Sequence, residues 1–499
     1  MPDIINILKV RDDHEPIYFK PIEEQKYMID EGCPKPNWFS GEELSITDLR
    51  GRIEPWLTSL FQSEHLSLLI GSGLSTAIQV LAEKKAKQPV ENSDSKECKD
   101  SEQLPTKEVH TEESSNDITS DSTEAPQNGM GIPEMDKEFA YSEMIYTAVK
   151  RDAKKNNRGA GNIEDYFRVI NDLLRGLEII GDTDNSTKLK NMKETLLNGF
   201  ISNISEIEKC IAEADEDSRT KAFNNLVMFL MSFASRTGTR DRLQIFTTNY
   251  DRVIEAGAEL AGLHLLDRFI GSLSPIFRSS RLDIDMHYNP PGIRGEPRYL
   301  EGVARFTKLH GSIDWVESGN DIRRIGLPFG AKEIAPYLEA PGLHGVDCTK
   351  IMIFPNASKD RETAEYPYVE LFRDFSAALC RPNSTLVTYG YSFGDDHINR
   401  IIRDMLTIPS THLVIIAYED VLGRIIKNYE EIGRPSQISL LIGSDLADIE
   451  ILTNNFLPKP SIDRATIRMS ELLKQRYSAN KPIQTQDNKD DSEGSASVS

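Results

Sequence analysis

Five cysteines, Cys33, Cys98, Cys210, Cys348 and Cys380, stand apart from one another in 499 residues, with no Cys-x-x-Cys pair. That scarcity leaves a zinc ribbon, a thioredoxin-like motif and a disulfide framework unsupported, and reduced thiols in a cytosol are the simple reading. Long hydrophobic runs are also missing. Lys9, Arg11, Asp12 and Asp13 interrupt the amino terminus, and no stretch approaches the roughly 20 apolar residues of a membrane span. A soluble, cytoplasmic protein without membrane contact is expected. Basic excess is lacking too. The formal net charge is −21, so no broad basic face is expected to grip nucleic acid unaided.

Aromatic residues vanish between Gln88 and Glu138, where Ser, Thr, Glu, Asp, Pro and Asn dominate. Glu91 to Glu138 holds fourteen acids against four lysines. Such a composition cannot bury enough apolar surface to offset chain entropy, so residues 88–138 are expected to be a disordered, solubilising acidic insertion. The acidic stretch at 479–499 is expected to be a disordered tail.

What remains has the pattern of an α/β protein. Pro2, Pro16, Pro21, Pro34 and Pro36 break up residues 1–45, which read as an irregular amino-terminal arm. Residues 46–87 read as a helix, a strand, a glycine turn and a second helix. Apolar residues at near-helical spacing predict a helical insert over 139–237. Strand-like runs at 66–70, 243–246, 306–309, 350–354, 385–389 and 413–418 predict a Rossmann-like parallel sheet of six strands. The sheet would continue through 238–420, with a helical capping segment over 421–478.

Four polar motifs each close one of these runs: Gly71-Ser72-Gly73-Leu74-Ser75, Thr247-Thr248-Asn249-Tyr250-Asp251, Leu309-His310-Gly311-Ser312 and Gly390-Tyr391-Ser392-Phe393-Gly394-Asp395. In an open parallel sheet, loops at the carboxyl ends of strands line one crevice, so the four can form a single site. Each has a plain structural alternative. The first glycine turn can admit a pyrophosphate to backbone N–H groups and a helix amino terminus, or can simply be tight. Asn249 can hold a ribose hydroxyl and a water, with Asp251 orienting the loop, or the loop can be an Asx turn that caps a helix. His310 suits proton transfer near neutrality or a structural place. Ser392 is a candidate ligand contact, and Asp395 and Asp396 are candidate caps for a helix over 397–406.

In this order the motifs resemble the sirtuin fold family, and within it the bacterial sirtuin-like branch of antiviral defence proteins, over about residues 46–418. The family's Gly-Ala-Gly-x-Ser turn corresponds to Gly71 through Ser75, and its Thr-Gln-Asn-x-Asp loop to Thr247 through Asp251. Its His-Gly pair corresponds to His310-Gly311, and its late Gly-Thr/Tyr-Ser turn to Gly390-Tyr391-Ser392. Thr-Thr-Asn-Tyr-Asp, Leu-His-Gly-Ser-Ile-Asp-Trp and Gly-Tyr-Ser-Phe-Gly-Asp of the defence branch stand unaltered. The four-cysteine zinc module of deacylase sirtuins has no counterpart. The deacylase Asp-Phe-Arg is replaced by Thr76-Ala77-Ile78-Gln79.

The resemblance implies an NAD glycohydrolase with NAD as substrate, no metal, and water in place of acyl-lysine as acceptor. It implies catalysis by Asn249 and His310, and NAD contacts from Gly71, Ser72, Gly73, Ser75, Thr248, Asn249, Asp251, Gly390 and Ser392. It further implies control in trans, through homo-oligomerisation or a partner such as a HerA-type ATPase or a short Argonaute-like protein. A protein deacylase and a non-catalytic nucleotide-binding subunit are the competing expectations.

Overall fold

A computed structural model describes residues 5–83, 139–155, 161, 163–235, 240–280, 286–288, 298–299, 302–340, 342–343, 345–346, 351–353 and 366–459. The acidic insertion at 88–138, the tail at 479–499 and the capping segment beyond residue 459 lie outside them.

The amino-terminal arm is a run of strands, β1 (Asn6–Lys9), β2 (Ile17–Glu23), β3 (Lys26–Ile29) and β4 (Leu44–Ser45). The expectation of irregular chain is corrected here. Of the prolines that prompted it, Pro2 lies outside the described residues, Pro16, Pro34 and Pro36 fall between strands, and Pro21 of β2 sits at a register shift against β3. Proline is tolerated at such places because no ladder donor is lost.

Helix α1 (Ile46–Phe61) buries Leu49, Ile53, Leu57 and Phe61 at helical spacing, with Ser45 and Asp48 forming a capping box. Strand β5 (His65–Ile70) and helix α2 (Ser72–Glu83) follow. The insert supplies α3 (Ser142–Lys155), α4 (Ile163–Ile180), α5 (Thr183–Glu213) and α6 (Glu216–Ala234). The sheet resumes with β6 (Gln244–Thr247), helix α7 (Val253–Leu260) and β7 (His264–Leu266).

Short strands β8 (Phe269–Ile270) and β9 (Ile276–Phe277) precede a ribbon of β10 (His287–Tyr288) and β11 (Arg298–Tyr299). Then come β12 (Val303–Lys308), β13 (Gly311–Ser318), β14 (Asp321–Arg324) and β15 (Ile351–Ile353). The chain closes through α8 (Tyr368–Leu379), β16 (Ser384–Tyr389), α9 (Asp396–Leu406), β17 (His412–Ala417), α10 (Arg424–Ile432) and β18 (Ile438–Ile442).

The main sheet has 11 strands, ordered β4-β3-β2-β1-β18-β17-β16-β5-β6-β12-β7. From β18 to β7 every pairing is parallel, and β1 to β4 extend the β18 edge antiparallel. The six-strand expectation is thereby corrected. Ile351–Ile353, read as a parallel strand, instead pairs antiparallel with β13 in a separate sheet of 5 strands, β15-β13-β14-β9-β8. β7 and β18 join the parallel set. β7 has only 3 residues, and β18 lies in a stretch read as helical.

The order reverses at β5. One half runs outward through β6 and β12, and the other through β16, β17 and β18, so β5 and β16 flank the switch point where such sheets bind ligands. One face is covered by α1, α2, α6 and α7, whose Leu57, Ile78, Phe229 and Ile254 share a core with Leu68 and Ile245. The other is covered by α8 and α9, with Phe375 and Ile402 packed on Leu69 and Phe246. Helix α6 of the insert is therefore a structural layer of the α/β fold. The helices before it share a further core with Tyr250, Ile313 and Val316 beside the crevice. No helix among the described residues is long and apolar enough to cross a membrane.

Candidate active site

Strands β16, β5, β6 and β12 are consecutive neighbours, so the loops that follow them emerge side by side. Gly71 donates its N–H to Tyr389 O at 3.0 Å, and Gly73 donates to Gly390 O at 3.2 Å. A Cβ on Gly71 would stand 2.3 Å from Gly390 O, and one on Gly390, whose φ is +60°, would stand 2.6 Å from Gly73 Cα. Only glycine permits two backbones to close this tightly. The N–H groups of Gly71 and Gly73 are thus committed to the neighbouring loop. The exposed Ser72 at the start of α2 is left as this turn's polar rim.

One turn into α2, buried Ser75 donates its hydroxyl to Asp251 Oδ2 at 2.8 Å. Asp251 Oδ1 accepts from the Val253 amide at 3.1 Å, so the same carboxylate also serves the start of α7. Asn249 Nδ2 donates to Gly71 O and to Ser75 Oγ, both at 3.0 Å. Because Gly71 O can only accept, the amide nitrogen must face it, which fixes the orientation of the Asn249 side chain. Its Oδ1 is buried and has no hydrogen-bond partner among the described residues. The loop beneath is held by Thr247 Oγ1, which donates to Ile70 O at 2.9 Å and accepts from the Asn249 amide at 3.0 Å. Half-buried Thr248 donates its N–H to Ile70 O at 3.2 Å.

His310 occupies the turn between β12 and β13 and is 5 % exposed. Its ring centre lies 6.2 Å from that of Tyr250 and 5.6 Å from that of His397. Lys308 lashes the end of β12 to the Asn249 loop, since its ammonium donates to Asp251 O at 2.5 Å and to Glu255 Oε1 at 2.9 Å. Burial pushes the Glu255 carboxyl up, against the pull of Lys308. The late glycine loop is clamped from within. Tyr391 donates its phenol to Asn399 Oδ1 at 3.1 Å, and Asn399 Nδ2 donates to Phe393 O at 2.9 Å. Phe393 has φ +55°, a costly conformation for a bulky residue that here the loop's bonds hold in place. Ser392 is exposed at the rim. Asp395 takes the N-cap place of α9 without a side-chain cap hydrogen bond, and Asp396 is the first helical residue.

Gly71, Gly73, Ser75, Asn249, Asp251 and Gly390 therefore meet directly, and His310 joins them through Lys308 and the Tyr250 ring. Ser72 and Ser392 lie at the rim, and Thr248 is held by its backbone. Sequence reasoning passed over Lys308, Glu255, Arg252 and His397. A lysine just before Leu309-His310, at the end of an otherwise apolar strand, was the available signal for the first.

Residues 243–433 match the family model of the SIR2-like domain. This stretch of the chain is similar to a SIR2-like domain. Its matched interval runs from the start of β6 through α10. Strand β5 and the Gly71 turn precede the interval but pair into the same sheet between β6 and β16. SIR2-like domains bind NAD, and the match points to NAD-related activity. No curated protein matches the chain.

Proposed function

We propose that the protein is an NAD glycohydrolase that cleaves NAD to nicotinamide and ADP-ribose with water as acceptor. The observation that carries this reading is the Asn249 carboxamide. Its nitrogen is pinned by Gly71 O and Ser75 Oγ, while its oxygen is buried at the strand ends without a partner among the described residues. A buried acceptor left open at a ligand crevice is costly unless a ligand donor completes it. A ribose hydroxyl or the attacking water provides that donor.

In the proposed reaction, the bond between C1′ of the ribose and the nicotinamide nitrogen breaks, and its electron pair leaves with nicotinamide. Water held by Asn249 bonds to C1′. His310 takes the proton released from that water or from a ribose hydroxyl. Positioning of this kind contributes about 10² to 10³ in rate per group. The absence of cysteine pairs in the sequence supports water over an acyl-lysine acceptor. An unregulated NAD hydrolase would deplete its own cell, so we place the protein among antiphage effectors released by self-assembly or by a partner such as a HerA-type ATPase or a short Argonaute-like protein.

The test is nicotinamide release by the purified protein, with and without candidate partners, in wild type, Asn249→Ala and His310→Ala. Cleavage that depends on both side chains is expected. Failure to cleave under every condition, or cleavage indifferent to both substitutions, would sink the assignment.

A further inference from the structure

A buried base must discharge its proton before the next turnover, and a buried imidazolium is costly to keep. His310 is 5 % exposed, so the direction in which its proton leaves is a structural question. Its two ring neighbours differ in surroundings. Tyr250 is buried and backs onto Phe200 of α5, with ring centres 5.6 Å apart, toward the core of the helical insert. His397, in the first turn of α9, is half-buried with its Nε2 shut off from solvent, so that Nδ1 is the nitrogen left for exchange with water, and its ring packs edge-on to Phe372 of α8 at 4.8 Å. The His310 and His397 rings are tilted by only 35° with centres 5.6 Å apart, which makes His397 a direct ring neighbour of His310.

We propose that His397 is the proton outlet of His310. The inference rests on the hydrolase reading of the site. The proton bound at His310 passes to a bridging water, that water gives a proton to His397, and His397 releases one to bulk solvent. Each imidazole returns to neutral, and the net product is the one proton set free by hydrolysis.

The charged surroundings suit a residue that receives a proton without keeping it. On its own helix, Asp396 and Arg400 accompany it, and the preceding loop brings Asp395 and Tyr391. The Tyr391 phenol is bonded to Asn399 and pushed far above neutrality by burial. From α8, Asp374 and Glu370 are engaged by Arg268 at 2.6 and 3.6 Å, and Arg373 pairs with Glu370. Arg424 lies beyond the Gly394 bend. Asp395 and Asp396 favour an imidazolium at His397, whereas the amino terminus of α9 disfavours one. The nearest titrating ring is His310, and a proton on either histidine repels a proton on the other.

The first arm of the test measures nicotinamide release against pH in wild type, His397→Ala and His397→Gln. His397→Ala is expected to lower kcat at least about tenfold near neutrality, with KM little changed and activity restored by added imidazole. His397→Gln should be slow and unresponsive to imidazole. An unaltered kcat across the pH range overturns the proposal, as does a loss that appears in KM and ignores imidazole. The second arm needs no turnover. Histidine nitrogen NMR of the full chain follows the His397 titration, assigned by its loss in His397→Gln. Removing the neighbouring charge in His310→Gln should raise the His397 midpoint by about half a pH unit or more. A titration identical to wild type overturns the coupling even if no NAD cleavage is ever found, whereas inactive wild type with coupled histidines overturns only the hydrolase reading.

Discussion

Arg252, the residue after the Asn249-Tyr250-Asp251 loop, is buried against Glu208 of helix α5. Its Nη2 donates to Glu208 Oε2 at 2.5 Å, and its Nε and backbone N–H donate to Oε1 at 3.1 and 2.7 Å. Its guanidinium also reaches the carbonyls of Leu327 and Pro328. The helical insert is thereby fastened to the loop that carries Asn249. Glu208→Ala would strand a buried guanidinium, and a loss of about 3–5 kcal/mol in urea unfolding is expected. The double variant Glu208→Leu, Arg252→Met should recover most of that stability, because removing both charges also removes their desolvation cost. A single variant as stable as wild type would show that the pair does not hold the insert in place.

Ser75 links the first motif to the second. Ser75→Ala removes the donor to Asp251 Oδ2 and one of the two acceptors of Asn249 Nδ2. Destabilisation of about 1–3 kcal/mol is expected from the unpaired buried carboxylate oxygen. NAD turnover should fall further than stability accounts for, since the Asn249 amide loses half of what orients it. Turnover per folded molecule equal to wild type would contradict this role.

Much of the site was legible because strand-end loops of a parallel sheet carry local signals. Five of the six runs read as parallel strands lie in the parallel sheet, and all four motif strands are adjacent. The contacts that define the site were not legible, because Ser75 and Asn249 are 174 residues apart. That Asp251 answers both Ser75 and Val253 also left the choice between an orienting role and a turn-capping one open in the sequence alone. The antiparallel extension was hidden by its prolines. β18 carries in Ile438-Ser439-Leu440-Leu441-Ile442 the same continuously buried pattern as β5, but such a short apolar run cannot be told from a buried helix segment by periodicity alone, and it fell within a stretch read as helical.

Gly390 tests whether the two glycine loops must touch. With φ +60° and only 2.6 Å between a new Cβ and Gly73 Cα, Gly390→Ala meets backbone on both counts. A cost of about 2 kcal/mol or more is expected in urea unfolding, with loss of NAD binding. Gly176→Ala, inside α4 and with nothing within 4 Å of the added methyl, should instead stabilise by about 0.5–1 kcal/mol. Equal effects from the two substitutions would refute the close-approach argument.

His412 gives the fold a definite acid limb. Its Nε2 lies 2.9 Å from Ser439 Oγ, and Trp56 donates its indole N–H to the same hydroxyl at 3.0 Å. Ser439 can therefore direct its own proton to the imidazole, which suits a neutral ring. Burial, and then the Lys9 cation, pull the His412 pKa down from 6.5 to about 4. Above pH 6.5 the folded and unfolded chains both hold this ring neutral, and it contributes no pH dependence. As pH falls from 6.5 toward 4, the unfolded chain binds a proton that the folded chain refuses, so stability drops across that window by up to about 3 kcal/mol. Urea unfolding of wild type and His412→Gln at pH 7 and pH 4.5 checks this. The variant should lose less stability than wild type between the two pH values, and parallel losses would place the acid sensitivity elsewhere.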